Sequence, residues 1–293
     1  MDLPPAYSMA TARSAGVSRA QLRSNGFVRL AHDLTVRLDD AIDHVEKLRL
    51  LATVLPADAA WSHRTAAALL GAPVDPPALH HVALRPRRVL PQRNELVVHG
   101  RRLTTADVVQ HRELRVTSGA QTFLDLAEYL PPQELVAVGD ALMRNEHLTP
   151  EALAGRLARA DRVRGVVRAR ACAPLLSPLA MSRPESLLRY WIVAARLPAP
   201  QLQIPIRDRW GVARAHADLG FEEWKIALEY EGRQHADPDQ FGRDIDRYSL
   251  MAADGWSTLR FASRQLNRST VVDRTRRALI SRGWRPPPEL TLC

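Results

Sequence analysis

The chain has 293 residues, of which 46% are hydrophobic and 25% are charged. That balance is typical of globular proteins and excludes a disordered chain, and the length suffices for two or three domains. No apolar run approaches the roughly 18 residues of a transmembrane helix. The start of the chain lacks the apolar core of a signal peptide, and the two cysteines have neither metal-ligand nor disulfide-framework spacing. We therefore expect a cytoplasmic protein with no membrane partner.

The charge balance favours a polyanionic partner. Basic residues outnumber acidic ones by 41 to 32, which gives a net charge of +9. Lysine occurs only at Lys47 and Lys225, so arginine carries almost all the positive charge. The planar guanidinium binds phosphate through two hydrogen bonds, which suits nucleic acid. A GC-rich genome explains the preference for arginine over lysine, but it does not explain the surplus over acidic residues.

The first 50 residues predict a winged helix-turn-helix. One helix is predicted over Tyr7 to Ser14, a turn at Gly16, and a second helix that ends at Gly26. The alternating stretch FVRLAHDLTVRL then predicts a wing. The first residues of the second helix would face the major groove of DNA, and the candidate contacts are Ser18, Arg19, Gln21 and Arg23. The alternative is an ordinary pair of surface helices with solvated polar side chains.

Residues 51–176 predict a middle α/β domain. Helices are predicted to begin at the capping residues Ser62, Ser118 and Thr149, and strands are predicted over HHVALRP and ELVVHGR. No catalytic cluster stands out in this region. The arginines between residues 156 and 170 favour a solvated linker helix over a surface that follows a DNA backbone.

The segment SPLAMSRP marks a domain boundary, and the hairpin predicted over residues 214–235 beyond it has an unusual charge pattern. If its turn lies at residues 223–224, Asp218 is directly opposite Glu229 and Glu231 lies beside them. Like charges opposed across an antiparallel pair are destabilising. Oxygen ligands suit a hard cation, so the pattern predicts a magnesium or manganese site. Plain surface ion pairs with nearby arginine or histidine side chains are the alternative.

Residues 177–293 also resemble a known nuclease family. The strings ADLGF, KIALEYEGRQH and RDIDRYSLMAADGWSTLRF are similar, in order and spacing, to the endonuclease-like family related to very-short-patch-repair endonucleases, within the PD-(D/E)XK nuclease superfamily. The resemblance implies an α+β (α/β) fold, with a restriction-endonuclease-like mixed sheet flanked by helices. The matching positions are Asp218, Glu229, Glu231, Gly232, His235, Arg243, Asp244, Arg247 and the Leu259-Arg260-Phe261 strand.

The resemblance assigns catalytic roles to residues of the hairpin. Asp218 and Glu229 would bind Mg²⁺, which polarises the scissile phosphate. Glu231 stands where the superfamily has a lysine, and it would bind a second ion or accept a proton from the attacking water. His235 would protonate or orient a phosphate oxygen, with a surface role as its alternative.

Three further residues each allow two interpretations. Glu185 would approach the metal from the preceding helix, but Ser182-x-x-Glu185 is also a capping box. Arg243 and Arg247, on a helix predicted over residues 239–253, would contact DNA phosphates or pair with acidic neighbours. The apolar stripe of that helix, which includes Tyr248, is predicted to be core.

The N-terminal two thirds resemble another family. GVSRAQLRSNGFVRL, WSHRTAAALLGAP and RVTSGAQTFLDLAEYL are similar to winged-helix AbiEi-type antitoxins and transcriptional regulators. That resemblance implies DNA binding, and a toxin or other partner protein. The predicted domains are therefore a winged helix (1–50), an antitoxin-like middle domain (51–176) and an endonuclease-like domain (177–293).

The sequence as a whole predicts a metal-dependent DNA endonuclease that a winged helix directs to its target. The chief alternative is a non-catalytic, antitoxin-like regulator that keeps the nuclease fold as a scaffold. An RNA-directed or toxin-type nuclease also stays open, because a carboxylate site does not distinguish DNA from RNA.

Overall fold

The computed structural model describes residues 6–8, 14, 16, 18, 27–31, 34–37, 43–207, 210–231 and 247–287. The strands are β1 Ala6–Ser8, β2 Phe27–Ala31, β3 Leu34–Arg37, β4 Ala60–Trp61, β5 His80–Leu84, β6 Leu96–Gly100, β7 Val108–His111, β8 Leu114–Thr117, β9 Gln201–Arg207, β10 Ala213–Phe221, β11 Ile226–Glu231 and β12 Ser257–Ala262. The helices are α1 His44–Ala52, α2 His63–Leu69, α3 Gly119–Leu126, α4 Pro132–Arg144, α5 Pro150–Ala158, α6 Val166–Cys172, α7 Arg183–Ala194, α8 at 247–253 and α9 Arg268–Ser281. The architecture is α+β, as predicted. Within these ranges, no helix combines the length and apolarity that crossing a bilayer requires.

The chain divides into two compact units that are interleaved in sequence. The first comprises Met1–Tyr129 and His147–Val166, and the second comprises Leu130–Glu146 and Val167–Cys293. The boundary predicted at residue 177 would separate α4 from α7, whereas the structure packs these two helices against each other. Because of this contact, helix α4 belongs to the second unit. Composition along the chain cannot reveal such a contact.

Strands near the N-terminus form a three-stranded antiparallel sheet in the order β1-β3-β2. The alternating stretch predicted as a wing forms the hairpin β2–β3. The helix predicted from Tyr7 is wrong at its start, because Tyr7 pairs with Thr35 in β3. A local helical pattern cannot report a partner strand that lies so far along the chain. Ser18 is exposed, and the other candidate DNA contacts, Arg19, Gln21 and Arg23, lie outside the described residues.

The larger sheet of the first unit has the order β6-β5-β4-β8-β7. Its helices begin where the sequence predicted. Ser118 accepts a hydrogen bond from the Gln121 N–H, and Thr149 accepts one from the Ala152 N–H. Ser62 occupies the N-cap position of α2, but its side chain makes no capping hydrogen bond. The core is packed around Phe123, which is completely buried on α3.

The second unit contains the sheet β12-β11-β10-β9, in which β12 runs parallel to β11 and the other neighbours are antiparallel. Leu228 and its neighbour Ile226 belong to a large apolar cluster with side chains of α7 and α9. Ala227 belongs to a second cluster with Met251 of α8. The predicted two-faced alternation of β11 is thus confirmed, and Glu229 shares the face of Ala227.

Gly220, in the hairpin that carries Asp218, lies where the two strands approach each other closely. A Cβ atom added there would lie 2.2 Å from the Ile226 carbonyl oxygen. Because the backbone would have to shift to make room for the added methyl group, we expect Gly220→Ala to lower the free energy of unfolding by about 1–3 kcal/mol. Gly100→Ala, which has no atom within 4 Å of the added Cβ, is the control and should change stability by less than about 0.5 kcal/mol. Urea denaturation measures both, and equal stabilities would contradict the packing argument.

Candidate metal centre

The hairpin register opposes two carboxylates. Strands β10 and β11 pair Leu219 with Leu228 and Gly220 with Ala227. The next step along this register brings Asp218 opposite Glu229, which is the opposition that alternation and turn position predicted. The Tyr230 N–H donates to Asp218 Oδ2 at 3.4 Å, which is a long hydrogen bond. Asp218 is thus held against the adjacent strand mainly by the backbone of the hairpin.

The two carboxylate oxygens of Glu229 have different surroundings. Its side chain is almost completely buried. Oε2 accepts hydrogen bonds from Tyr248 Oη at 2.7 Å and from Arg247 Nη2 at 3.0 Å, both from helix α8. Oε1 is buried and has no hydrogen-bond partner among the described residues. A buried acceptor without a partner is costly, so this oxygen is directed where a ligand would relieve that cost.

Burial perturbs the titration of both hairpin carboxylates. It raises the pKa of Asp218 and of Glu229 above the usual range, and the charge of Asp218 raises the pKa of Glu229 further. The Arg247 guanidinium and the Tyr248 hydroxyl oppose that rise without cancelling it. The pair is therefore short of positive charge, as expected for a site that a cation completes.

Glu185 accepts hydrogen bonds at the start of α7, but not the bond from the Ser182 N–H that the predicted capping box requires. Its Oε1 accepts a hydrogen bond from Ser182 Oγ at 2.7 Å, and its Oε2 accepts one from the Met181 N–H at 2.9 Å. Both oxygens are thus used at the start of α7. Burial raises the pKa of Glu185, and the charge of Asp218 adds to the rise. Glu185 therefore acts on the centre through the electrostatic repulsion between its carboxylate and that of Asp218.

Glu231, at the end of β11, is bound by side chains that sequence reasoning did not assign to the site. Arg260 of β12 forms an ion pair with Glu231 Oε1, and the Tyr248 hydroxyl lies 3.3 Å from the same oxygen. The Arg260 guanidinium also stacks over the Tyr248 ring, 4.5 Å from its centre. The parallel pairing of β11 with β12 places Arg260 beside Glu229. Only the position of Arg260 within the motif strand hinted at this role.

The predicted arginine and histidine contacts have mixed outcomes. Arg247 forms an ion pair with Glu229. Tyr248, predicted as core, packs against the cluster around Met251 and also donates its hydroxyl to Glu229. His235 and Arg243 lie outside the described residues.

The donor set fits a hard divalent cation. Asp218 and Glu229 supply carboxylate oxygens, which Mg²⁺ and Mn²⁺ prefer over nitrogen or sulfur. One of these oxygens is buried without a partner among the described residues. An isolated buried anion is expensive, so a cation between the two carboxylates would offset a cost that the folded chain otherwise bears.

The raised pKa values predict a pH-dependent effect of Mg²⁺ on stability. Because Asp218 and Glu229 have raised pKa values when folded, the folded protein keeps protons that the unfolded chain has released. Their contribution to stability is full below the unfolded pKa values and is lost as the pH rises through the folded ones. Mg²⁺ bound at this pair would replace those protons, so it should raise the melting temperature more at about pH 8 than at about pH 5.

Scanning fluorimetry with and without Mg²⁺ measures this difference. Glu222→Gln, at the exposed turn of the hairpin, should keep the pH dependence, and Asp218→Asn should lose most of it. Equal Mg²⁺ shifts at both pH values in the unsubstituted chain would contradict competition between the metal and protons at these carboxylates.

Comparison with known proteins gives distant relatives. No known protein-family model matches the chain. Two uncharacterized proteins of Mycobacterium tuberculosis, MT2308 and Rv2248, are each 27% identical to it over 238 residues, which is 81% of this chain and 86% of the relative. The crystal structure of RV2827C protein from Mycobacterium tuberculosis aligns with a TM-score of 0.42 and 15% identity, covering 69% of this chain and 79% of that chain. The chain is thus similar over most of its length to two mycobacterial proteins whose names state no activity.

Proposed function

We propose that this protein is a Mg²⁺- or Mn²⁺-dependent endonuclease that hydrolyses phosphodiester bonds of DNA. The observation that carries the proposal is Glu229 Oε1, which is buried without a partner among the described residues. The register of β10 with β11, extended by one pair beyond Leu219 and Leu228, sets Asp218 opposite Glu229. The order of nuclease-like motif residues around this pair supports the assignment to phosphodiester chemistry.

The chemistry is divided between the cation and the chain. Bound to Asp218 and Glu229, Mg²⁺ would supply Lewis-acid polarisation of the scissile phosphate. Tyr248 and Arg247 hold Glu229 by its other oxygen, which leaves Oε1 available to a cation. Glu231, half-buried at the strand end and close to the Tyr248 hydroxyl, would accept a proton from the attacking water.

The substrate follows from charge. The chain has a surplus of nine basic residues, nearly all arginine, which favours a phosphate backbone as ligand. A winged helix in the first 50 residues would bring DNA to the protein, and the hairpin β2–β3 with its partner β1 supports that assignment. We also propose that the protein binds a toxin or another partner protein, because its N-terminal two thirds contain antitoxin-like segments.

A non-catalytic DNA-binding regulator is the second candidate, and specific contacts favour it. Arg247 and Arg260 form ion pairs with Glu229 and Glu231, and both oxygens of Glu185 accept hydrogen bonds from Met181 and Ser182. A nuclease fold that has become a scaffold would neutralise its former ligands in this way. The two candidates differ in whether the arginines leave room for a cation at Glu229 Oε1.

Cleavage of supercoiled plasmid DNA by the purified full chain separates the candidates. We expect nicked and linear products with Mg²⁺ or Mn²⁺, and none with a chelator. Glu229→Gln should abolish cleavage, because the amide supplies one neutral oxygen where the carboxylate supplied a charged one. Glu222→Gln, on the exposed turn of the same hairpin, is the matched control and should cleave normally.

The opposite results are equally informative. DNA binding without cleavage by any divalent cation would favour the regulator. Cleavage that persists at full rate in Glu229→Gln would show that another site carries the activity. Cleavage of single-stranded RNA in preference to DNA would retain the metal centre and change the substrate.

A further inference from the structure

The first unit contains a cluster of three histidines from three separate elements. His63 is the first residue of α2, His81 lies in β5 and His99 lies in β6. One ligand nitrogen from each ring lies within 4.8 Å of those of the other two. His81 Nδ1 and His99 Nε2 are 2.9 Å apart. Among the described residues this is the one such group, and it is unrelated to the carboxylates of the second unit.

The ring spacing is close to that of a metal site. Zinc binds imidazole nitrogen at about 2.0–2.1 Å with tetrahedral geometry, so its ligand nitrogens lie about 3.4 Å apart. The rings are stacked, with the centres of His63 and His99 3.7 Å apart. Coordination therefore requires each ring to turn about its terminal torsion, which is a soft coordinate for histidine.

His63 carries further marks of a ligand. Its Nε2 is buried without a hydrogen-bond partner among the described residues, and its backbone φ is +50°, a strained value for a residue other than glycine. Its Nδ1 forms a hydrogen bond with Ser62 Oγ at 3.0 Å, and the buried Asp125 Oδ2 lies farther away, at 3.8 Å. A hydrogen bond at one ring nitrogen orients a histidine whose other nitrogen binds a metal.

The charge state suits a metal ligand. Burial lowers the pKa of His63 to about 2, with the nearby His99 contributing, and burial lowers the pKa of His99 to about 4. Burial also lowers the pKa of His81. The three rings are thus neutral at pH 7, and only neutral imidazole binds a metal.

His99 also lines a cavity of about 610 Å³. The walls of this cavity are strongly basic, with six arginines against two acidic residues, Glu128 and Asp161. The arginines are Arg101, Arg102, Arg156, Arg159, Arg162 and Arg164. A site with three protein ligands keeps a fourth position for an exogenous group, and guanidinium-lined walls favour an anion there.

We propose that His63, His81 and His99 bind Zn²⁺, with one coordination position open to this cavity for an anionic, phosphate-like ligand. Nitrogen donors of this kind favour zinc and related transition metals over Mg²⁺. The site is therefore independent of the proposed carboxylate centre, and neither depends on the other.

Cobalt substitution tests the site in the full chain. After treatment with a chelator, the protein should bind one equivalent of Co²⁺ and develop the visible absorption bands of tetrahedral cobalt, which Zn²⁺ then removes by displacement. His81→Gln and His99→Gln should each lose the bands. His111→Gln, on the edge strand β7 of the same sheet, and Asp218→Asn, in the other unit, should keep them. Added inorganic phosphate should shift the bands.

His99→Cys provides a gain of signal that does not depend on loss of binding. In a Cys293→Ser background, a thiolate at this position should add a near-ultraviolet sulfur-to-cobalt band that the parent chain lacks, since its remaining cysteine, Cys172, is buried in the second unit. If the glutamine variants do not fold, the cysteine variant decides. Absence of visible bands in the unsubstituted chain, bands that persist in both glutamine variants, or a folded cysteine variant without the sulfur band would each overturn the proposal. If inorganic phosphate leaves the absorption bands unchanged, the proposed open coordination position is wrong.

Discussion

Asp218→Asn is expected to lower the rate of Mg²⁺-dependent DNA cleavage by on the order of 100-fold or more, because the stabilisation that a bound cation contributes amounts to several kcal/mol. The same substitution should leave the protein as stable as before, or make it more stable, at neutral pH. The reason is that burial and a nearby like charge already disfavour the ionised pair formed by Asp218 and Glu229. Asparagine has almost the same volume and removes one of the two charges.

The combination of lost activity and retained stability distinguishes a ligand from a structural residue. Plasmid cleavage and urea denaturation of the same preparations measure the two effects. Glu223→Gln, exposed at the turn of the same hairpin, removes a charge of the same sign and should change neither. Cleavage at the normal rate by Asp218→Asn would remove Asp218 from the site, whereas a large loss of stability would mean that its carboxylate holds the hairpin together.

Asp140→Ala is expected to destabilise the second unit by about 3–5 kcal/mol, the usual cost of leaving a buried partner charge uncompensated. Asp140 is completely buried on α4, and its Oδ2 accepts hydrogen bonds from Arg189 Nη2 at 2.6 Å and from Ser186 Oγ at 2.7 Å on α7. Its Oδ1 accepts one from the Ser177 N–H at 2.7 Å. Loss of this carboxylate would strand the buried guanidinium of Arg189 and loosen the helix that carries Glu185.

Two further variants separate the buried charge from general damage. Glu134→Gln breaks an ion pair with Arg183 between the same two helices at the surface, and it should cost less than about 1 kcal/mol. The double variant Asp140→Leu with Arg189→Met replaces the buried pair by apolar side chains and should recover most of the lost stability. Denaturant midpoints measure all three, and a double variant no better than Asp140→Ala would contradict the stranded-charge explanation.

Local pattern was sufficient for much of the fold. Ser118 and Thr149 cap helices where their side chains can reach the first free N–H groups, a relation within one turn. The alternation of β11 sorts Leu228 and Ala227 to different apolar clusters. Because turn position and a period of two fix hairpin register, the opposition of Asp218 and Glu229 followed from the same reasoning.

Contacts between elements far apart in the chain did not follow from local sequence pattern. Tyr248 fitted an apolar helical stripe, yet its hydroxyl also reaches Glu229 because α8 packs beside β11. The three histidines at positions 63, 81 and 99 show no motif spacing, since helix α2 and two strands bring them together. Tyr7 began a plausible helix and instead pairs with Thr35.

The sequence by itself determined the basic charge, the α+β class, the helix starts at Ser62, Ser118 and Thr149 and, once the turn was placed at residues 223–224, the facing carboxylates, because each depends on composition or on neighbours within a turn or hairpin. Only the tertiary structure decided which arginines and tyrosine bind those carboxylates, which helices share a unit and which histidines meet. Such contacts arise from packing between elements far apart in the chain, where the free energy of burial rather than local periodicity selects the partner.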